Sequence, residues 1–219
     1  MGPNVKAMPL FWAAVVAGAS YMLVVTGKWT GTPMIVWKGL GVGLLALWAA
    51  LNARSVDGWL IALVMALGAS GDVLLDAISL QAGGVVFALG HAVAIWLYLK
   101  KRRAKLSPSQ ALLAGLTVPL SVFAAWKLLG GGVQGLQAAL YTFFVAAMAA
   151  AAWISRFPRY RTGIGAMLFL ASDLLIFSRF GALKGSQLPD IMVWPLYFAG
   201  QALITWGVVR VLRRDPAQG

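Results

Sequence analysis

Eight stretches of about 20 apolar residues fill this chain, each long enough to cross the hydrocarbon core of a bilayer as a helix. They run near 9–26, 33–52, 57–75, 80–99, 108–129, 134–155, 161–180 and 189–211. Nothing else in the sequence narrows the fold as far. In lipid, every backbone polar group must find its partner within the protein, so these stretches predict an all-α polytopic membrane protein of eight transmembrane helices. Of 219 residues, 61% are hydrophobic and 11% charged, against about 25% charged in soluble domains. Proline or glycine marks most junctions: Pro33, Gly58, Pro108, Pro158 and Pro189. The first stretch has features of a signal peptide, with Lys6 before the apolar run and Ala17-Gly18-Ala19 as a cleavage-like site. It is read here as helix one. The polar tail Asp215–Gly219 is expected to fray. Residues 1–219 read as one membrane domain, with halves near 9–99 and 108–211 joined by a basic linker over 100–107.

Charge placement predicts topology. With eight spans, both termini and the loops 2–3, 4–5 and 6–7 share one side. That side holds Lys6, Arg54, Lys100, Lys101, Arg102, Arg103, Lys105, Arg156, Arg159, Arg161, Arg210, Arg213 and Arg214, whereas the other has Lys28, Lys127, Arg179 and Lys184. The positive-inside rule puts both termini in the cytoplasm. The net charge of +12 is thus read as topology signals and contacts with anionic headgroups, not as a nucleic-acid footprint. A bacterial cytoplasmic (inner) membrane is the expected location.

Against this apolar background, Ala66–Asp76 (ALGASGDVLLD) and Gly165–Phe177 (GAMLFLASDLLIF) each carry an aspartate in mid-segment, Asp72 and Asp173. A carboxylate at the centre of a transmembrane helix costs roughly 2.5–3.5 kcal/mol on insertion scales. The two stretches also look related. GASGDVLL aligns with FLASDLLI, placing Asp72 opposite Asp173, and FALGHAVAIW aligns with YFAGQALITW, placing His91 opposite Gln201. Both matches are four helices apart, which predicts a four-plus-four repeat with a pseudo-twofold axis along the membrane normal. The first two helices of each half show no convincing match.

Depth brings further polar residues to the same region. At 1.5 Å per residue, Asp72 lies about 22 Å and Asp173 about 18 Å from the cytoplasmic boundary. From the opposite boundary, Lys38 lies roughly 9 Å in, His91 roughly 15 Å and Gln201 roughly 16 Å. Tyr197 shares a helix face with Gln201, Phe87 with His91, and Asp76 with Asp72. Each supporting residue also has a plainer reading. Asp76 and Asp190 sit at helix ends, where capping and solvation account for them. His91 is as well explained by a bond to a backbone carbonyl, Tyr197 by an interfacial position, and Lys38 by snorkelling, although pairing with an aspartate is the better account of the lysine. Gly68, Gly71, Gly90 and Gly200 fit close helix packing. Asp72 and Asp173 are hardest to explain away, being too short to reach water.

Two carboxylates in one low-dielectric cavity are not expected to stay ionised together, so one is read as an acid and the other as a base, with Lys38 holding the ionised one. Such a pair can protonate a substrate and activate water, or it can carry protons in a transporter. The residues alone leave both open. The chain has no cysteine and a single histidine, His91, which opposes a zinc centre, and a retinal Schiff base on Lys38 is poorly placed on helix two. No metal or cofactor is expected.

GASGDVLL, Phe87 with Gly90-His91, GAMLFLASDLL and YFAGQALI, in this order and across nearly the whole chain, resemble the YhhN-like family of lysoplasmalogenases. The family often has Lys-Pro in helix two, where this chain has Lys38-Gly39. The resemblance implies eight helices and hydrolysis of the vinyl ether of lysoplasmalogens, releasing a fatty aldehyde and glycerophosphoethanolamine or glycerophosphocholine. It carries the family's two motif aspartates over to Asp72 and Asp173 as catalytic residues. Lys38, His91, Tyr197, Gln201 and Asp76 are the expected supporting set. The implied partners are a lysophospholipid and bilayer lipids. A proton-coupled small-solute transporter or channel using the same aspartates is the alternative. The sequence leaves oligomeric state open.

Overall fold

The structure, a computed structural model, describes residues 4–214; the tail Asp215–Gly219 lies outside them. Among the described residues, eight helices are long and apolar enough to span a membrane. They are α1 Val5–Gly27, α2 Thr32–Asn52, α3 Val56–Ala77, α4 Leu80–Lys100, α5 Pro108–Leu128, α6 Gly132–Ile154, α7 Arg159–Ser178 and α8 Leu188–Arg214. Each expected span falls on one helix, with ends shifted by a few residues. Leu, Val and Trp side chains such as Trp12, Trp59, Trp96 and Leu120 stand exposed around the bundle, where acyl chains would cover them. The protein is an integral membrane protein.

Local sequence explains the helix ends. Ser55, Ser79 and Ser107 each accept from a backbone N–H of the next turn, at Gly58, Ala82 and Gln110. Gln110 returns a bond to the Ser107 N–H, closing a capping box. Pro33, Pro108 and Pro189 sit in first turns, where a missing N–H costs nothing. Helix α1 is interrupted at Tyr21. There the indoles of Trp37 and Trp194 take the carbonyls of Ala17 (3.2 Å) and Gly18 (2.7 Å), which a regular helix would have used internally. The stretch with signal-peptide features therefore packs as a helix of the bundle. Gly18 in it faces Gly41 of α2 closely, and a Cβ on Gly41 would lie 2.9 Å from the Gly18 Cα.

Sequential helices pack against each other, α2 with α3, α3 with α4, α5 with α6 and α7 with α8. The halves are joined where α4 rests on α6 and where α8 rests on α1, α2 and α3. Helix α5 touches only α6 and α7 and lies at the periphery. Several glycines lie against a carbonyl of a neighbouring segment, among them Gly39, Gly83 and Gly90 in the first half and Gly135, Gly165 and Gly200 in the second. A Cβ on Gly90 would lie 3.7 Å from the Val64 carbonyl oxygen, and one on Gly200 would lie 2.6 Å from that of Gly165. Val64 and Gly165 each precede an aspartate, Asp72 or Asp173, by eight residues.

At the end of the bundle carrying residues 100–107, the linker is fixed to the turn between α6 and α7. The Arg103 N–H donates to Ile154 (3.0 Å) and the Arg156 N–H to Lys101 (2.7 Å), and the Arg103 guanidinium donates to the carbonyls of Ser155 and Phe157. Asp57, fully buried at the start of α3, pairs with Lys100 (2.8 Å) and Lys101 (3.1 Å). These basic residues, expected as free topology signals, thus also hold α3, α4 and the linker together.

Candidate active site

Helices α3 and α7 carry Asp72 and Asp173 into the interior, where the residues are 3% and 5% exposed. Neither carboxylate is left bare. The Tyr197 hydroxyl on α8 donates to Asp72 Oδ2 at 2.7 Å, and the Tyr141 hydroxyl on α6 donates to Asp173 Oδ2 at 2.8 Å. Each tyrosine oxygen has a second polar neighbour. Gln201 Nε2, one turn after Tyr197 on the same face of α8, donates to the Tyr197 oxygen at 3.2 Å. His91 Nε2 on α4 lies 3.4 Å from the Tyr141 oxygen. Two chains result, Gln201–Tyr197–Asp72 and His91–Tyr141–Asp173. Ser172 adds a longer contact of 3.4 Å to Asp173 Oδ1 while bonding the Phe169 carbonyl.

An aromatic group separates the chains. Phe87 meets Phe169 and Tyr197 edge to face, with centroids 5.9 Å apart in both cases, and Phe169 meets His91 and Tyr197 edge to face at 5.0 Å. Such rings keep the surroundings of the polar chains apolar, which strengthens each hydrogen bond and makes an unpaired polar atom costly. Glycines admit this packing. A Cβ on Gly71 would lie 2.8 Å from the Phe87 ring, and one on Gly68 would lie 2.8 Å from Gln201 Nε2. Beside Gly68 and Gly90, a small cavity with room for about one water is bordered by His91, Gln201, Phe169 and Tyr98. The Asp72 and Asp173 side chains do not border it.

The residues expected around the two aspartates fall into two hydrogen-bonded chains and one separate ion pair. Lys38 was expected to hold one of the two central carboxylates ionised. Its Nζ instead bonds Asp76 Oδ2 at 2.9 Å. Asp72 and Asp76 are one turn apart on one face of α3, and the lysine meets the carboxylate nearer the helix end, where both partners keep some solvent (14% and 33% exposed side chains). Asp76 is thus an ion-pair partner as well as a helix-end residue. Asp190 lies in the first turn of α8 with its side chain 65% exposed, as expected of a solvated helix-end residue, and also pairs with Arg179 at 3.3 Å. His91 bonds neither a carboxylate nor a backbone carbonyl; its polar contact is Tyr141.

Tyr141 itself went unread in the sequence. It lies about 14 Å along α6, too deep for an interfacial ring. A buried phenol needs a hydrogen-bond partner, and the depth argument applied to Tyr197 would have found this residue too. Among the described residues, no three His, Asp or Glu side chains gather as metal ligands would.

Comparison with known proteins places the chain in a family. The YhhN family model matches residues 34–208, which include all the helices that contribute to the two chains. The curated lysoplasmalogenases of Mycobacterium bovis (strain ATCC BAA-935 / AF2122/97) and Mycobacterium tuberculosis (strain CDC 1551 / Oshkosh) are each 32% identical over 161 residues, covering 68% of this chain. The match spans 59% of the length of those relatives. No solved structure matches. An all-helical membrane bundle and a family model covering most of its length give one conclusion: this chain belongs to the YhhN family.

Proposed function

We propose that this protein is an integral-membrane hydrolase that cleaves the vinyl ether bond of lysoplasmalogen-type lipids. The observation that carries this reading is the pair of buried carboxylates, each held by a tyrosine hydroxyl within one aromatic-lined region. The name lysoplasmalogenase on both mycobacterial relatives supports the substrate class.

A vinyl ether is cleaved by protonating its β carbon, which leaves an oxocarbenium ion that water attacks at the α carbon. The hemiacetal so formed collapses to a fatty aldehyde and a glycerophospho-alcohol. One aspartate supplies the proton as a carboxylic acid. The other, as a carboxylate, stabilises the cation and takes a proton from the attacking water. Placing both groups in an apolar interior raises the electrostatic value of the carboxylate to the cation. The Lys38–Asp76 pair, near the end of α3 and partly open to solvent, is suited to meet the zwitterionic headgroup, the lysine facing phosphate and the aspartate facing ammonium. The lysolipid tail lies between helices, within the apolar belt.

Two features of arrangement belong to the same proposal. The alignment of Asp72 with Asp173, and the reciprocal packing of α4 on α6 and α8 on α2, support a four-plus-four duplication. The excess of basic residues at the end that carries the 100–107 linker supports cytoplasmic termini in a bacterial inner membrane.

The test is aldehyde release by the purified protein in detergent from a lysoplasmalogen, beside the acyl lysophospholipid with the same headgroup. Aldehyde from the first and no fatty acid from the second is the expected result; fatty acid from the acyl lipid and no aldehyde would overturn it.

A further inference from the structure

The two carboxylates are alike in their tyrosine partners and unlike one step further out. Behind Tyr197 stands Gln201, whose side-chain amide neither supplies nor takes up a proton at neutral pH. Behind Tyr141 stands His91, whose imidazole can do both. We infer from this difference that Asp173 is the proton donor of the pair, recharged by His91 through the Tyr141 hydroxyl, while Asp72 is the carboxylate that stays ionised to receive the cation and the water proton. The inference rests on the hydrolase reading above for its chemistry.

Hydrogen-bond direction supports the assignment. With Gln201 Nε2 donating to the Tyr197 oxygen, the phenolic proton points at Asp72 Oδ2, so Asp72 starts each turnover as the hydrogen-bond acceptor of its chain. The chain through Tyr141 can run either way. With the His91 Nε2 proton in place it runs from His91 to Tyr141 to Asp173. With Nε2 unprotonated it reverses, and a protonated Asp173 donates to the Tyr141 oxygen while the phenol donates to the imidazole. Only this arm connects its aspartate to a group that can resupply a proton between turnovers. The groups facing His91 from its neighbours are Tyr141 on α6 and the Phe169 ring on α7, with Gln201 of α8 and Tyr98 of its own helix bordering the same small cavity. Tyr98 contributes a buried hydroxyl that has no hydrogen-bond partner among the described residues. Among the described residues, Asp173, reached through Tyr141, is the carboxylate that hydrogen bonds link to His91.

The protons balance over one turnover. Asp173 gives its proton to the β carbon, and water adds to the α carbon while giving a proton to Asp72. Asp72 returns that proton to the glycerol oxygen as the carbon–oxygen bond breaks, and the hemiacetal hydroxyl proton is released as the aldehyde forms. His91 takes up one proton from the cavity and passes one through Tyr141 to Asp173. His91 and Tyr141 are positioning and proton-supplying residues, and they act on substrate only through Asp173.

Infrared spectroscopy of the full-length protein in detergent reads the carboxyl directly, whatever the substrate. The wild type should show a protonated carboxylic acid band at neutral pH that is absent in Asp173→Asn and kept in Asp72→Asn. Its shift on transfer to D2O should slow by about tenfold or more in both Tyr141→Phe and His91→Gln. It should keep its wild-type rate in Gln201→Leu. In the turnover assay, His91→Gln should lower kcat and leave KM near the wild-type value. A band lost in Asp72→Asn and kept in Asp173→Asn, no such band in the wild type, or exchange unchanged in both relay variants would overturn the inference. Failure of lysoplasmalogen cleavage with the infrared pattern intact would overturn the substrate reading alone.

Discussion

The Tyr197 hydroxyl donates to Asp72 Oδ2 at 2.7 Å and so ties α8 to α3 at the depth where the chain is otherwise apolar. A hydrogen bond to a charged group contributes about 1.5–3 kcal/mol. Tyr197→Phe removes this one and leaves the ring packing against Phe87 and Phe169 in place. Its kcat for aldehyde release should fall by roughly 10- to 100-fold. Thermal unfolding in detergent should also come earlier, because a buried carboxylate oxygen loses its donor, and a wild-type kcat would separate Asp72 from the reaction.

Two glycines should separate site from scaffold. A Cβ on Gly200 would meet the Gly165 carbonyl oxygen and the Phe169 backbone nitrogen, at 2.6 and 3.1 Å, and backbone cannot swing aside. Gly200→Ala should therefore destabilise the bundle by about 1–3 kcal/mol, seen as earlier thermal unfolding. A Cβ on Gly68 meets the movable amide of Gln201 instead. Gly68→Ala should unfold near the wild-type temperature and lose activity, because Gln201 is pushed off Tyr197. Equal loss of stability in both variants would contradict this distinction.

The Lys38–Asp76 pair is partly open to solvent, so its net contribution to stability is on the order of 1 kcal/mol or less. Its larger effect should appear in binding. Lys38→Met should raise KM for the lysolipid with kcat less affected, and combining it with Asp76→Asn should be less than additive, since the two residues form one unit. An unchanged KM in Lys38→Met would remove the pair from headgroup recognition.

Asp57 is the opposite case, a carboxylate with no exposed surface held by two lysines. Asp57→Asn leaves Lys101 without its partner. The expected loss is up to about 3 kcal/mol, at the low end for a broken buried pair because Lys100 remains partly solvated. Activity per folded molecule should be unchanged, which separates this pair from the site at the other end of α3.

The sequence makes the helices and the aspartates legible for simple reasons. Runs of about 20 apolar residues have few alternatives in a bilayer, and a mid-span carboxylate is too costly to be incidental. Pro33, Pro108 and Pro189 mark three helix starts within a residue or two. The partners were less legible. Depth along a straight helix resolves about one turn, and Asp72 and Asp76 differ by one turn on the same face, so the lysine was matched to the wrong member. Tyr141 stayed hidden because the contact of α6 with α4 and α7 follows from the packing of the whole bundle, which no periodicity within α6 encodes. The relation of Asp72 to Asp173 was visible as an alignment. The inequality behind it, amide against imidazole, gained meaning only once both tyrosines stood between.

The central claim is that both buried carboxylates act on the vinyl ether. It is tested most directly by aldehyde release from a lysoplasmalogen by purified Asp72→Asn and Asp173→Asn variants whose thermal unfolding matches that of the wild type. The account predicts that each variant loses at least about a hundredfold in kcat. Wild-type kcat in either one would contradict it.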